Sequence, residues 1–203
     1  MSPVDQIAHL YATNELEVED ILALCHTASH SEAESLRAFA LSLPEHEANE
    51  VPYREWFRAV CMFLERGYDG LLELGRSLQG LPFALGVLKE LNSAAALRAA
   101  VSLADTHESA DAVEAIFDTL NSLRALANEV DSSAVTKVRA LLHAVVACGQ
   151  ASPHDGYAAA MYALRGFGDE STVALLKCAK DPVGPFEDAR NLALREIRKR
   201  SGN

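Results

Sequence analysis

The chain has 203 residues and is 49% hydrophobic, enough for one sizeable core without requiring a second domain. Aromatics are few at 6%, no run of 18 or more apolar residues occurs, and Cys25, Cys61, Cys148 and Cys178 form no CxxC pair; together these argue against a membrane-spanning helix, a disulfide scaffold or a paired-cysteine zinc site. The net charge of −11 is polarised: residues 1–56 hold 11 acids against only Arg37 and Arg54, net −9, and the remainder is −2, so the N-terminal part has the wrong sign for a phosphate backbone.

Ser2-Pro3 supplies an N-cap and a proline at the first helical position, and Ile7, Leu10 and Tyr11 follow on one face. A second helix is predicted from about Glu17, with Val18, Ile21, Leu22 and Cys25 at helical spacing. The stretch LCHTASHSEAE, residues 24–34, is the one that looks like chemistry. His26, His30 and Glu34 lie four apart with Cys25 alongside, and on one unbroken helix they would share a face, as in a metal site. However, Ser31 followed by Glu34 reads as a capping box that starts a new helix. A break between His26 and Ser31 is therefore expected, with His30 in a turn and no metal bound.

Leu36, Phe39, Ala40 and Leu43 make the next stripe. LPEHEANEVP follows as an acidic loop between two prolines, a possible subdivision near residues 44–52. Pro52 opens a helix closed by Gly67, on which Trp56 is expected to be buried with Val60 and Phe63. Shorter helices are predicted up to Gly80, from Pro82 to Leu91, and from Ser93 to Ala104. Val113, Ile116, Phe117, Leu120, Leu123 and Ala127 form the clearest amphipathic pattern, repeated by Val135, Val138, Leu142 and Val145. Ser152-Pro153 begins a further helix, Asp169 another, and the last ends in REIRKR, whose bases suit the negative end of a helix dipole. Cys61 and Cys148 lie in apolar runs and are expected in the core.

No alternating strand pattern occurs, so the fold class is all-α, with about ten to twelve helices in one domain over 1–203. Short links make consecutive helices antiparallel neighbours, in a multi-helix bundle or in stacked hairpins. Residues 166–197 bear on that choice, carrying Gly168-Asp169 before a helix, Val173, Leu175 and Leu176 along it, Asp181-Pro182 at a turn, and then Arg190 and Ala193-Leu194. This segment resembles a HEAT repeat of the short bacterial type, which implies an irregular α-solenoid.

Catalytic motifs are missing: there is no HExxH, GxSxG or GxxxxGK[ST], and no glutamate has a histidine three residues later. No catalytic residue, metal ligand or cofactor is therefore assigned. The polarised acidity favours a non-enzymatic protein-binding module, most specifically an acidic cytoplasmic inhibitor of a basic protein, of the immunity or antitoxin type. The cytoplasm is expected because the N-terminus has neither a basic segment nor an apolar segment of signal-peptide length. The partner-binding residues expected are Glu45, Glu47 and Glu50 in the loop and Glu17, Glu19 and Asp20 at a helix start, with neither nucleic acid nor membrane as partner. A HEAT-like scaffold or adaptor is the alternative within the binding class. A helical enzyme or ligand carrier with a site between helices is the alternative outside it.

Overall fold

The helical stripes fold as helices, and their caps show why each begins where it does. A computed structural model describes residues 2–44, 50–107, 109–148, 154–179 and 185–202. Among these residues the protein is all-α, with no strand. The α-helices are α1 (Pro3–Ala12), α2 (Val18–Thr27), α3 (Ala33–Ser42), α4 (Tyr53–Gly75), α5 (Leu81–Leu91), α6 (Ala94–Ala104), α7 (Ala110–Ser122), α8 (Ser132–Cys148), α9 (His154–Phe167), α10 (Glu170–Cys178) and α11 (Pro185–Arg200). Single 3-10 segments span His30–Glu32 and Arg124–Glu129. None of the helices described is long and apolar enough to cross a membrane.

Several starts are side-chain capped as the sequence predicts. Ser2 Oγ accepts the Asp5 N–H at 3.1 Å, and Asp5 accepts the Ser2 N–H at 3.1 Å. Ser93 Oγ accepts the Ala96 N–H at 3.1 Å, and Asp169 accepts from the N–H groups of Ser171 at 2.9 Å and Thr172 at 3.2 Å. The helical run α4 is two segments meeting at Gly67, which takes φ 59°, ψ −144°, so the expected closure at Gly67 is a sharp kink. Ser152, Pro153, Asp181 and Pro182 lie outside the described residues.

The chain divides into two compact units, Met1–Leu91 and Asn92–Asn203. The subdivision expected near 44–52 thus falls inside the first unit. The reason is packing: α3 lies against α4 across that loop, with Phe39 edge-on to Phe57 at 5.5 Å, so the loop joins two helices of one core. In unit 1, α4 is the central helix, touching α2, α3 and α5. Its residues Phe57, Ala59, Val60, Cys61 and Leu71 are buried with Ile21, Leu24 and Leu36, each large apolar side chain contributing about 1.5–3 kcal/mol by leaving water. Trp56 is only half-buried, correcting the expectation of full burial. Phe57, one residue on, takes the core position, while the indole stands edge-on to Phe83 at 4.9 Å and lies over Gly86.

In unit 2, α9 is central, packing on α7, α8, α11 and the Arg124–Glu129 segment. Tyr157, Ala160, Met161, Leu164 and Phe167 are its buried face. The amphipathic stripe of residues 113–127 is not one helix. The chain leaves α-geometry at Leu123 (φ −87°, ψ 4°) and continues as a 3-10 segment. Leu123, three residues after Leu120, and Ala127 on the 3-10 segment are buried like Ile116, Phe117 and Leu120. Cys148 is exposed, not in the core; of the four free thiols, Cys61 alone is buried. Cys148 is the last residue of α8, whose buried face is Val138, Leu142 and Val146.

Candidate functional site

The metal-like stretch around His26 resolves into two unrelated contacts. α2 ends at Thr27, Ala28 and Ser29 are extended, and the chain turns helical again at His30. The break falls where expected, but its cap is displaced by two residues. The Ser29 N–H, not that of Ser31, donates to Glu32 at 2.8 Å, and Ser29 Oγ donates to the same carboxylate at 2.7 Å. The extended Ala28-Ser29 pair lets the next helical turn begin at His30, earlier than the Ser31–Glu34 spacing implied. His26 Nε2 lies 3.2 Å from Glu90 Oε1, and His30 Nδ1 lies 2.9 Å from the Leu64 carbonyl oxygen. The two rings are thus committed to different elements. Among the described residues, no group of three or more His, Cys, Asp or Glu is placed to hold a metal ion. Burial pushes the Cys25 thiol up to about 12 and the Cys61 thiol up to about 11, the nearby Glu90 and Glu65 carboxylates adding to it, which leaves both as poor nucleophiles.

The acidic residues divide by task. Asp20 accepts the Glu17 N–H at 3.0 Å and closes the start of α2, so it is engaged in capping. Glu17 and Glu19 are exposed at that same helix start, where carboxylates also stabilise the positive end of the dipole by about 0.3–1 kcal/mol. Glu50 is exposed. Glu45 and Glu47 lie outside the described residues. Asp5, Glu32, Glu34 and Glu55 occupy first helical turns as well. Much of the N-terminal acidity is therefore also helix-start chemistry, which counting charges along the chain does not separate from partner chemistry.

A groove of about 660 Å³ runs between α3 and α4 in unit 1. Ala40, Leu41, Cys61 and Met62 give it an apolar floor, and Arg37, Arg54, Arg58, Arg66, Glu55 and Glu65 form its polar rim. Arg37 donates to Glu65 across the two helices, and Arg66 pairs with Glu73 at 2.6 Å. Leu41 is 65% exposed. The sequence pattern had the signal for it: Leu41 sits one residue off the stripe of Leu36, Ala40 and Leu43, and so must point away from the core it helps to cover. The exposed large apolar residues found in the described chain are Leu41, Val51 and Leu78, all in unit 1.

Unit 2 holds a polar network that sequence spacing did not reveal. His143 Nε2 and Thr172 Oγ1 share a hydrogen bond of 2.7 Å, Thr172 Oγ1 accepts the Asp169 N–H at 3.0 Å, and Asp169 pairs with Arg139. A hydroxyl beside an imidazole would suit nucleophilic chemistry. Thr172, however, is 0% exposed, so no substrate reaches its oxygen, and the network ties α8 to the start of α10. Burial holds the His143 pKa below its ordinary value, partly offset by Asp169 and reinforced by Arg139. At the basic end of α11, Arg200 donates to the carbonyl oxygens of Gly166 and Gly168, and on α8 Arg139 Nε donates to that of Phe167 at 2.7 Å. Neither a protein-family model, nor a curated protein, nor a solved structure matches the chain.

Proposed function

We propose that the chain is a non-enzymatic protein-binding module whose recognition unit is unit 1. One coincidence carries the reading. The unit with 15 acids and 6 bases, net −9, also exposes Leu41, Val51 and Leu78, at 65%, 44% and 61%. Scattered apolar side chains alone would mean little. Here Leu41 lines a groove beside Met62, with four arginines and two glutamates on its rim, and arginine is among the residues enriched where binding energy concentrates. Leu41 and Val51 also flank the acidic loop in sequence.

The partner that suits this charge is basic. Exposed Glu17, Glu19 and Glu50, with Glu45 and Glu47 between Leu41 and Val51 in the sequence, would steer it by long-range attraction, and short-range apolar contacts at Leu41 and Val51 would then set how long it stays. The narrower form is an acidic cytoplasmic inhibitor of a basic protein, of the immunity or antitoxin type. The HEAT-like reading of 166–197 belongs here too. Asp169 caps α10, and α10 packs on α11, as a helical hairpin of that kind requires, and stacked hairpins ordinarily serve binding.

The test begins with a partner recovered from native lysate on the immobilised full chain. Association is then followed by stopped flow against salt. Glu45→Lys, Glu47→Lys and Glu50→Lys together should slow association by on the order of tenfold at low ionic strength and flatten its salt dependence. Leu41→Asp should act chiefly on dissociation. An association rate insensitive to both salt and the triple reversal would remove the basic partner from the proposal.

A further inference from the structure

Unit 2, nearly neutral overall with 14 acids and 12 bases, gathers its arginines instead of dispersing them. A groove of about 370 Å³ is lined by Arg124, Arg165, Arg195 and Arg200, and Glu196 is its one carboxylate among the described residues. The four come from three elements: the 3-10 segment after α7, the end of α9, and α11. Close approach is built in at Gly166, where a Cβ would stand 2.6 Å from the Arg124 carbonyl oxygen. Any larger residue would separate Arg124 from the end of α9.

Three of these guanidinium groups are held in place by hydrogen bonds. Arg124 Nη1 donates to the Asn121 carbonyl at 2.7 Å, and Arg165 Nη2 donates to the Asn121 side-chain oxygen at 2.6 Å. Arg165 Nε donates to the Tyr162 carbonyl at 2.9 Å, and its guanidinium carbon lies 5.3 Å from the centre of the Tyr162 ring. Arg200 is fixed on Gly166 and Gly168. These bonds occupy only part of each five-donor fork. Among the described residues Arg195 is paired with no backbone carbonyl; its side chain is 71% exposed and lies 3.5 Å from its neighbour Glu196. Capping of carbonyls therefore accounts for Arg200 and for part of Arg124 and Arg165, and not for Arg195 or for the convergence. Like charges brought together at the protein surface repel, an arrangement that an incoming anion relieves. Planar forks fixed in advance suit the oxygens of a phosphate, which they engage in pairs.

We propose that this groove binds a small multivalent phosphate anion, of the pyrophosphate or oligophosphate class, through Arg124, Arg165, Arg195 and Arg200. Linked phosphates carry more oxygens and more charge than a single phosphate, and so can engage more of the four forks at once. Glu196 is the internal competitor: it lies 3.5 Å from Arg195 and opposes the ligand's charge. The inference concerns unit 2 only and stands independently of the partner proposed for unit 1.

Titration calorimetry of the full chain with inorganic pyrophosphate and with tripolyphosphate tests it, using sulfate as the control anion. One ligand should bind per chain, tripolyphosphate more tightly than pyrophosphate, and both should weaken as salt rises toward about 0.15 M. Arg124→Gln and Arg195→Gln should each weaken binding by about tenfold or more, the loss expected for a charge-assisted hydrogen bond. Arg195 is exposed and supports no backbone group among the described residues, so its variant keeps the fold. Glu196→Gln should tighten binding, a gain no unfolding can mimic, and Arg76→Gln in unit 1 should change nothing. Equal affinity for sulfate and pyrophosphate would overturn the proposal. So would wild-type affinity in both arginine variants, the absence of binding at millimolar ligand, or an oligonucleotide that binds the same groove more tightly than tripolyphosphate.

Discussion

Gly67 and Gly86 constrain unit 1 in different ways. Gly67 takes φ 59°, ψ −144°, yet a Cβ there would meet nothing within 4 Å. Its requirement is purely one of backbone, so Gly67→Ala should cost about 1–3 kcal/mol in chemical denaturation with the helix content of the folded protein unchanged. Gly86 has the opposite problem: a Cβ would stand 2.4 Å from the Trp56 ring. Gly86→Ala should therefore displace the indole, and native fluorescence should shift to the red and become more open to acrylamide. Of the two, only Gly67 was legible in the sequence, as a helix-closing residue. The Gly86 contact joins α4 to α5 over 30 residues, and no local pattern encodes it. His143 is a similar case, since its partner Thr172 is far along the chain. Its folded pKa is held below the ordinary 6.5, so the fold favours the neutral ring. That contribution is fully present above about pH 6.5 and is lost as pH falls below it, because the unfolded chain then binds the proton more readily. The melting temperature should drop on going from about pH 7.5 to about pH 5.5 in the wild type, and drop less in His143→Gln.

Helix starts separate into those held by a side chain and those that are not. Asp169 accepts from two backbone N–H groups of α10 and pairs with Arg139 on α8. Ser109 precedes α7 without a side-chain capping bond. Asp169→Ala should therefore destabilise by about 1–2 kcal/mol, and Ser109→Ala by a few tenths at most, differences that urea titrations of the two variants would resolve. Stripes and caps made most of the elements legible: α1, the start of α6 and the start of α10 lie where Ser2, Ser93 and Asp169 put them. Where the sequence misled, two local signals competed. Ser29–Glu32 and Ser31–Glu34 are both capping boxes on paper, and the choice fell to the extended Ala28-Ser29 pair. Residues 113–127 kept their buried apolar positions while changing helix type at Leu123, a change that the apolar spacing alone does not register.

At the scale of the chain, the division at Leu91–Asn92 was the least legible feature. The proline-flanked acidic loop looked like a linker and is an internal connection, whereas Asn92-Ser93 reads as an ordinary helix start. Which stripes meet decides a boundary, and that is tertiary information. The arginine groove escaped notice for the same reason: Arg124, Arg165 and Arg195 are spaced along the chain at tens of residues and become a cluster only when α9 is laid between α7 and α11. By contrast, the acidity of unit 1 is legible from counting alone, although its division between helix starts and partner contact is not. Each unit has a core of its own, centred on α4 with Phe57, Val60 and Leu71, or on α9 with Tyr157, Met161 and Phe167. Residues 1–91 and 92–203, made separately, should therefore each show a helical far-ultraviolet spectrum and a cooperative thermal transition, as chains of about 90–110 residues with buried cores do. If the functional assignments are also separable, the 1–91 fragment should keep the salt-dependent association with the basic partner, and the 92–203 fragment should keep pyrophosphate binding. A fragment that is unfolded alone but folds when mixed with the other would show that the two cores are one cooperative structure, and the division into units would then describe geometry without describing stability.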